Sequence, residues 1–524
     1  MDIHTYSELE VSFHYTDKHV NKIEDQHMQS IDKLLEYLKL PAEDDHKYRD
    51  LHLARAIVVW MSLMTGRKKA GICKEVRDLA DGYAPVTFST FCEKYEIENR
   101  MIFGKGKDLN YVPGGTYFDM IPQASWNSFR CNNVWHLVYT ELAIATVHGF
   151  HRGGEVLLEE DGDKKFYQSV ATRGHTKAEF NDFWFCTNPY ILAIHALPED
   201  KKLQYLSADQ AFDEEKFEQC AYLQPGFFMA DLTLLTEDRW VLQSKRGRCT
   251  ITVGCEETIL KGLQFKYKLA FILESGELTE ENITAMPRMV VYAPGMDEVT
   301  FTISLPVKGE YKFSTFVTSS EMERYVECFV FRIYCDEPDM HCRSIPKVVE
   351  EIGVGYTHVA KEFGLKNPSK ATPTINVQNG TSKRTLQIAD DKIDELEFSS
   401  EFVGTDVEIG YSEVKVDHQK GTLEVKAGLK REGECVLVIK GRDKLKRERF
   451  KPILNYIVSS YDNDEDDHEK LVRKNKKEVR KKSKSACKQK EVTTLLDRLR
   501  QIEKEVEYLN DTNMSKSYKK KADA

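Results

Sequence analysis

The chain has 524 residues, of which 41% are hydrophobic and 10% aromatic, and its formal net charge is −10 at pH 7. This length predicts about three domains with hydrophobic cores and excludes a wholly disordered chain. The mildly acidic balance argues against nucleic acid as the main partner. No apolar run reaches the roughly 18 residues of a membrane span, and no signal-peptide pattern opens the sequence. The twelve cysteines are therefore predicted to be reduced thiols in the cytoplasm.

Residues 1–46 are predicted to form a polar N-terminal segment with one helix. Within it, residues 30–40 (SIDKLLEYLKL) carry apolar side chains at helical spacing, Ser30 can cap the helix, and Pro41 ends it. A second helix is predicted for residues 48–64, where apolar side chains recur on one face.

The basic, glycine-rich residues 104–115 (GKGKDLNYVPGG) do not match a phosphate loop, because no Gly-Lys-Ser/Thr leads into a helix. They are predicted to connect strands. Residues 124–139 alternate apolar and polar side chains and are rich in aromatics, which predicts a β-hairpin joined through residues 131–133. Residues 159–182 are charged and contain glycine, so a surface loop is predicted there.

Two sets of short runs with period-two alternation follow, separated by Gly, Asn and Asp turns. They predict a first β-sandwich over residues 211–345 and a second over residues 376–460, with a proline-containing linker at 346–375. Residues 250–253 (TITV) and 385–388 (TLQI) echo each other, as do the apolar residues that follow them, so a duplicated sandwich is predicted.

Residues 461–524 form a charged tail that is predicted to be partly helical. An acidic block is followed by the basic residues 470–490, and blocks of like charge usually stay solvated. Docking of the basic block to an acidic partner or an anionic surface is the second interpretation. Residues 495–509 place apolar side chains at steps of four and three, which allows weak self-association through a helix of about two heptads.

Four short motifs give the chain a family resemblance. Residues 53–60 (LARAIVVW), 79–84 (LADGYA), 124–129 (ASWNSF) and 135–139 (WHLVY) resemble the corresponding motifs of transglutaminase-like (papain-related) domains. Residues 104–115 resemble a connection found in the kyphoscoliosis peptidase and hillarin group of that superfamily. The resemblance implies an α+β transglutaminase-like (papain-like) domain over residues 47–210, followed by two all-β immunoglobulin-like sandwich domains and a charged helical tail.

In the resembled family, a cysteine nucleophile, a histidine base and an aspartate form the catalytic triad. The matching positions here hold Ala80, Ala124 and Tyr139, while the residues that flank them match the family motifs. Alanine cannot form a covalent intermediate. The triad positions are therefore degenerate, and the sequence predicts no catalytic residue among them.

The substituted triad positions predict that the chain is a pseudoenzyme and acts as an intracellular protein-binding scaffold that uses no cofactor. The resemblance implies protein partners of the cytoskeleton. Tyr83, Trp126, Asn127 and Trp135 are the candidates for lining a peptide-binding groove.

The alternative is a cysteine peptidase or transglutaminase-like hydrolase that uses a displaced Cys/His pair. Cys73, Cys131 and His136 are its candidate residues. His148 and His151 form an H-x-x-H pattern, but no third ligand follows at a sensible spacing, so no metal site is predicted.

Overall fold

The computed structural model describes residues 11–39, 41, 47–67, 71–276, 278, 288–320, 322, 324–339, 352–370, 372–377, 380–404, 408, 410–446, 449–460 and 471–477. The predicted seam at 495–509 and most of the basic segment 470–490 lie outside these residues. Among the helices of the described part of the chain, none is long and apolar enough to cross a membrane.

Most of the longer helices lie before the first strand. The α-helices with both ends among the described residues are α1 His14–Val20, α2 Ile31–Lys39, α3 Arg49–Met64, α4 Lys74–Ala80, α5 Ala84–Lys94, α6 Thr140–Ile144, α7 Pro189–His195, α8 Glu214–Gln219, α9 Pro225–Met229, α10 Glu257–Leu260 and α11 His358–Glu362. Helix α2 confirms the predicted helix, and Ser30 caps it by accepting a hydrogen bond from the Lys33 N–H (3.2 Å).

The N-terminal region combines these helices with a four-stranded antiparallel sheet. The strands up to residue 198 are β1 Asn99–Gly106, β2 Gln123–Cys131, β3 Val134–Val138, β4 Ala145–His151, β5 Glu155–Glu160, β6 Asp163–Gln168, β7 Thr172–Ala178 and β8 Ala196–Pro198. The sheet has the order β3-β2-β1-β8. Strands β2 and β3 confirm the predicted hairpin, and Asn132 and Asn133 have the positive φ angles that a tight hairpin turn needs.

Helix α3 lies at the centre of this region and is buried on all sides rather than on the predicted single face. Its Arg55 side chain is only 5% exposed, and its Nη2 donates to the Asp17 carboxylate at 2.7 Å. Arg55 also forms an ion pair with Asp182, and its guanidinium lies 4.2 Å from the Phe180 ring centroid. The N-terminal segment therefore contributes two helices to the core of this region and is not a separate polar segment.

Residues 159–182 are not the predicted loop, because strands β4 to β7 form one long hairpin. Strand β4 pairs with β7, and β5 pairs with β6, so residues 145–178 make up what we call the hairpin arm. The part of the arm made by β4 and β7 is called the ribbon. Both strands of the ribbon are exposed over much of their length.

The first β-sandwich follows, with strands β9 Tyr222–Leu223, β10 Thr233–Leu234, β11 Val241–Gln243, β12 Arg248–Gly254, β13 Gln264–Ile272, β14 Val290–Pro294, β15 Glu298–Ser304, β16 Gly309–Thr318 and β17 Val326–Cys335. One sheet has the order β10-β12-β15-β14, and the other has β11-β17-β16-β13. The second sheet continues through β5 and β6 of the hairpin arm. The predicted boundary at residue 210 therefore does not separate two independent sheets.

Buried polar contacts join the arm to this sandwich. Glu159 of β5 is completely buried, and its carboxylate accepts hydrogen bonds from the Tyr267 hydroxyl (2.7 Å) and the Met289 N–H (2.6 Å). On the face of the sheet, Lys312 of β16 reaches across β13 and donates to Glu155 of β5 at 2.9 Å. Because these contacts satisfy a carboxylate that would otherwise be costly to bury, they define the position of the arm.

The second β-sandwich repeats the topology of the first. Its strands are β18 Leu365–Lys366, β19 Thr374–Asn376, β20 Thr381–Ile388, β21 Leu396–Val403, β22 Gly410–Asp417, β23 Thr422–Leu429, β24 Glu434–Asp443 and β25 Lys451–Ser459. The sheet orders are β18-β20-β23-β22 and β19-β25-β24-β21, each strand eight places after its counterpart. The topology thus agrees with the predicted duplication. The described part of the predicted linker at 346–375 contains α11 and β18.

Candidate functional site

The three positions that the sequence motifs predict as a substituted triad lie on different elements of the N-terminal region. Ala80 is the last residue of α4, Ala124 lies in β2, and Tyr139 directly follows β3. In the resembled family the nucleophile begins a helix, but here α5 begins only at Ala84. Ala80 therefore precedes the helix by one short turn.

The structure brings Ala124 and Tyr139 together over strand β1. A Cβ atom added to Gly106 would lie 2.5 Å from the Tyr139 hydroxyl oxygen and 2.8 Å from the Ala124 Cβ. Both distances are shorter than ordinary van der Waals contact, which is about 3.5–4.0 Å. The Tyr139 ring therefore fills the space beside Ala124, and only a glycine fits beneath it.

The phenol of Tyr139 is buried and does not offer a proton acceptor at neutral pH. Its ring lies 5.9 Å from Trp126 and 5.8 Å from Trp184, measured between centroids. Burial raises the pKa of Tyr139 well above its usual value, and the negative charge of Glu141 raises it further. The hydroxyl therefore stays protonated and cannot replace a histidine base.

Tyr83 connects the segment after Ala80 to strand β2. It precedes α5, and its hydroxyl lies within hydrogen-bond distance of the Ser125 hydroxyl, at 3.0 Å. Ser125 is the neighbour of Ala124 in β2. The segment that contains Ala80 thus leads directly to the strand that carries Ala124.

Three of the four predicted groove residues are buried and do not line an open groove. Trp126 is 1% exposed, Asn127 0% and Trp135 2%. The Asn127 side chain donates to the Pro85 carbonyl and to the Ser89 hydroxyl, each at 3.0 Å, and so fastens the start of α5 to the hairpin. Asn127 is therefore a structural residue in this fold.

Tyr83 is exposed, and two other apolar side chains are exposed near it. Tyr83 is 47% exposed, Val86 at the start of α5 is 46%, and Phe103 of β1 is 52%. Phe103 pairs with Ser125 across the sheet, on the side where Tyr83 bonds to Ser125. We call these three residues the Tyr83 patch. Sequence reasoning missed Phe103, although an aromatic at an outward position of β1, between buried Ile102 and Gly104, was a usable signal.

The displaced Cys/His pair does not form an open site. Cys73 precedes α4, and the length of that helix separates it from Ala80 by about 10 Å. Cys131 and His136 are buried, 4% and 2% exposed, and His136 packs on Phe129 with 5.3 Å between ring centroids. A substrate carbonyl cannot reach a thiol that is enclosed in this way.

A second group of reactive side chains lies near the start of the first sandwich. The Lys107 amine donates to the Phe217 carbonyl (2.7 Å) and lies 3.7 Å from the Cys220 sulfur. Burial, together with the nearby charge of Lys107, lowers the pKa of His195 to about 3. Burial also raises the pKa of the Cys220 thiol. Thiol and imidazole therefore stay neutral here, and all three side chains are buried.

The H-x-x-H pattern lies in strand β4 of the ribbon. His148 stacks on His175 of β7, with 5.7 Å between ring centroids, rather than on His151. Within the described ranges, no group of three or more His, Cys, Asp or Glu side chains could hold a metal ion. His148, His151 and His175 therefore do not belong to a set of metal ligands among the described residues.

Comparison with known families gives a match in the first sandwich. A family model described as "KY-like, immunoglobulin-like domain" matches residues 214–346. This range extends from α8 beyond β17, the end of the first sandwich. An N-terminal α/β region is thus followed by β-sheets that include this immunoglobulin-like domain.

Comparison with known proteins gives similar relatives. Kyphoscoliosis peptidase of Homo sapiens is 20% identical over 347 residues, which is 64% of this chain and 45% of that protein. The Mus musculus protein of the same name is 20% identical over 346 residues, with the same coverage. Lim and transglutaminase domain protein ltd-1 of Caenorhabditis elegans is 22% identical over 292 residues, 53% of this chain and 38% of that protein.

These relatives support the kyphoscoliosis peptidase group, as the sequence motifs predicted. The chain spans less than half the length of each relative.

Proposed function

We propose that the N-terminal region is a transglutaminase-like domain that has lost catalysis and acts as a protein-binding scaffold. One observation carries the proposal: the Tyr139 ring occupies the space beside Ala124, so that a single added carbon at Gly106 would collide with both. A histidine at position 124 would need this space, and so would a carboxylate at position 139 that oriented it.

The missing nucleophile supports the same conclusion. Ala80 has no group that can attack a carbonyl, and Cys73 lies one helix length away. Covalent catalysis also needs a base within about 3 Å of the nucleophile. Buried, protonated Tyr139 does not supply one.

Binding uses the Tyr83 patch in this proposal. Tyr83, Val86 and Phe103 form an exposed apolar surface beside the degenerate site, and exposed apolar patches commonly mark protein contacts. The partner is an extended polypeptide that is held without being cut. Association with the cytoskeleton stays a prediction from the family resemblance.

Turnover is tested with the whole chain and fluorescently labelled casein. Hydrolysis should equal the buffer rate, and Cys73→Ala and Cys131→Ala should leave it unchanged. Cys255→Ala, in the first sandwich, is the matched control. Hydrolysis that Cys73→Ala or Cys131→Ala abolishes, and Cys255→Ala does not, would overturn the loss of catalysis.

Binding is tested separately with immobilised, unfolded casein as the extended polypeptide. The chain should bind it, and Tyr83→Ser/Phe103→Ser should weaken binding by about tenfold, since two apolar side chains leave the contact. Tyr15→Ser is the control, because Tyr15 is 59% exposed but lies in α1. An equal loss in the control, or no binding by the unaltered chain, contradicts the scaffold role of the patch.

A further inference from the structure

The ribbon of the hairpin arm has open edges on both sides. Among the described residues, neither β4 nor β7 pairs with a third strand. All seven residues of β7 are exposed. Two strands alone are marginally stable in water, and an open edge presents unpaired N–H and C=O groups to another chain. The outer edge of β7 can therefore accept a further strand.

The ribbon is basic although the chain as a whole is acidic. Both of its permanently charged side chains, Arg173 and Lys177, are basic, and it also carries His148, His151 and His175. The whole chain has a net charge of −10. The ribbon is thus a local site of positive charge that would attract an acidic partner.

Pairing places all of these basic groups except His151 on one face of the ribbon. Arg173 pairs with Phe150, His175 with His148, and Lys177 with Thr146. Alternate residues of a strand point to the same side, so Arg173, His175 and Lys177 share a face. Arg173 and Lys177 lie four residues apart, a span of about 13 Å along the strand.

One carboxylate contacts this face, at the base of the ribbon. Glu179 accepts hydrogen bonds from Lys177 (3.2 Å), the Thr146 hydroxyl (3.0 Å) and Arg324 (3.2 Å). Lys177 is nevertheless 55% exposed. Lys177 thus remains open to a second carboxylate, and Arg173 has no acidic partner among the described residues.

We propose that the ribbon binds an acidic, extended segment of a partner protein, which adds to the outer edge of β7 as a third strand. Carboxylates at alternate positions of that segment would face Arg173 and Lys177, while its main chain bonds to the exposed edge. This inference goes beyond the proposed function and does not depend on the loss of the triad. A two-stranded ribbon also fits the major groove of DNA, but Arg173 and Lys177 are the ribbon's only permanent positive charges and would neutralise few phosphates, so a short acidic strand is the partner we favour.

The probe is a fluorescein-labelled eight-residue peptide of alternating glutamate and valine, titrated with the whole chain and followed by anisotropy. The peptide should bind, and higher salt should weaken the binding. Arg173→Glu/Lys177→Glu should weaken it by about tenfold, since two favourable charge contacts become repulsive. The matched control is Lys164→Glu/Lys165→Glu in β6 of the same arm, which makes the same change in charge and should alter affinity less than about twofold.

Amide hydrogen exchange gives the position of the bound peptide. The peptide should slow exchange in residues 172–178, and the milder Arg173→Ser/Lys177→Ser should show an intermediate affinity with an unchanged exchange pattern elsewhere. Three results would overturn the proposal: no binding of the peptide, equal losses in the two charge-reversed variants, or protection only outside the arm. Tighter binding of a DNA duplex of equal charge would overturn it as well.

Discussion

Gly106→Ala tests directly how tightly Ala124 and Tyr139 pack over strand β1. The added Cβ would lie 2.5 Å from the Tyr139 hydroxyl oxygen and 2.8 Å from the Ala124 Cβ. Overpacking of this kind costs about 1–3 kcal/mol of unfolding free energy. The φ angle of Gly106 is not in the left-handed region, so backbone strain does not add to the cost.

The cost should depend on the two side chains that cause it. In a background of Ala124→Gly/Tyr139→Phe, the nearest remaining atom is the ring carbon Cζ of residue 139, at 3.7 Å, which is ordinary contact. Gly106→Ala should then cost less than about 0.5 kcal/mol, so the coupling between the sites should be at least about 1 kcal/mol.

Gly104→Ala is the matched control in the same strand. Its Cβ would collide with the backbone carbonyl of Leu197, which neither background change removes. The assay is urea unfolding followed by tryptophan fluorescence, because four of the five tryptophans lie between residues 60 and 184. The packing of Tyr139 and Ala124 over Gly106 is refuted if Gly106→Ala leaves the free energy of unfolding unchanged. It is also refuted if Ala124→Gly/Tyr139→Phe reduces the cost of Gly104→Ala by the same amount.

Three further predictions concern stability and thiol reactivity. Arg55→Ala should lower the unfolding free energy by about 3–5 kcal/mol, because removal of the buried guanidinium leaves the Asp17 carboxylate without its ion-pair partner. A loss below about 1 kcal/mol in urea unfolding argues against the ion cluster. Burial raises the pKa of Glu159, although the hydrogen bonds that its carboxylate accepts act in the opposite direction. The contribution of Glu159 to the free energy of unfolding is therefore fully present below its unfolded pKa of about 4.3, and it is lost as the pH rises through the higher folded pKa. Thermal unfolding should therefore show stability falling as the pH rises above about 4.3, and Glu159→Gln should flatten that fall; an unchanged profile would contradict this prediction. Iodoacetamide at about pH 8 should label Cys73 before the other described cysteines. Only Cys73 and Cys255 among them are half-buried rather than buried, and burial raises the pKa of Cys255 to about 11. Peptide mass mapping that finds Cys131 labelled first would disprove this order.

Local patterns predicted the elements whose partners are close in sequence. The hairpin of β2 and β3 was predicted because its strands alternate and are joined by two asparagines. The echo between residues 250–253 and 385–388 correctly matched β12 with β20, which occupy equivalent places in the two sandwiches. The substitution of the triad at Ala80, Ala124 and Tyr139 rests on the same kind of local signal, because short motifs surround each position, and it stays a prediction.

The sequence could not predict features that depend on distant contacts. Strand β5 joins the first sandwich by pairing with β13, more than 100 residues later, and its charged residues suggested a loop. Glu159 is buried there only because Tyr267 and Met289 satisfy its oxygens. Alternation in β2 predicted one exposed face, but α5 covers one side of the sheet while Tyr205 stacks on Trp135 at 5.9 Å on the other.

The sheet shared by the hairpin arm and the first sandwich limits how the protein can be divided into fragments. An expression product that began at residue 214 would contain the whole immunoglobulin-like match but would lack β5 and β6. Strand β13 would then become an uncovered edge of the sheet, and the hydroxyl of Tyr267 would lose the Glu159 carboxylate that accepts its hydrogen bond. Such a truncated product should aggregate, whereas one that starts at residue 11 keeps the edge capped.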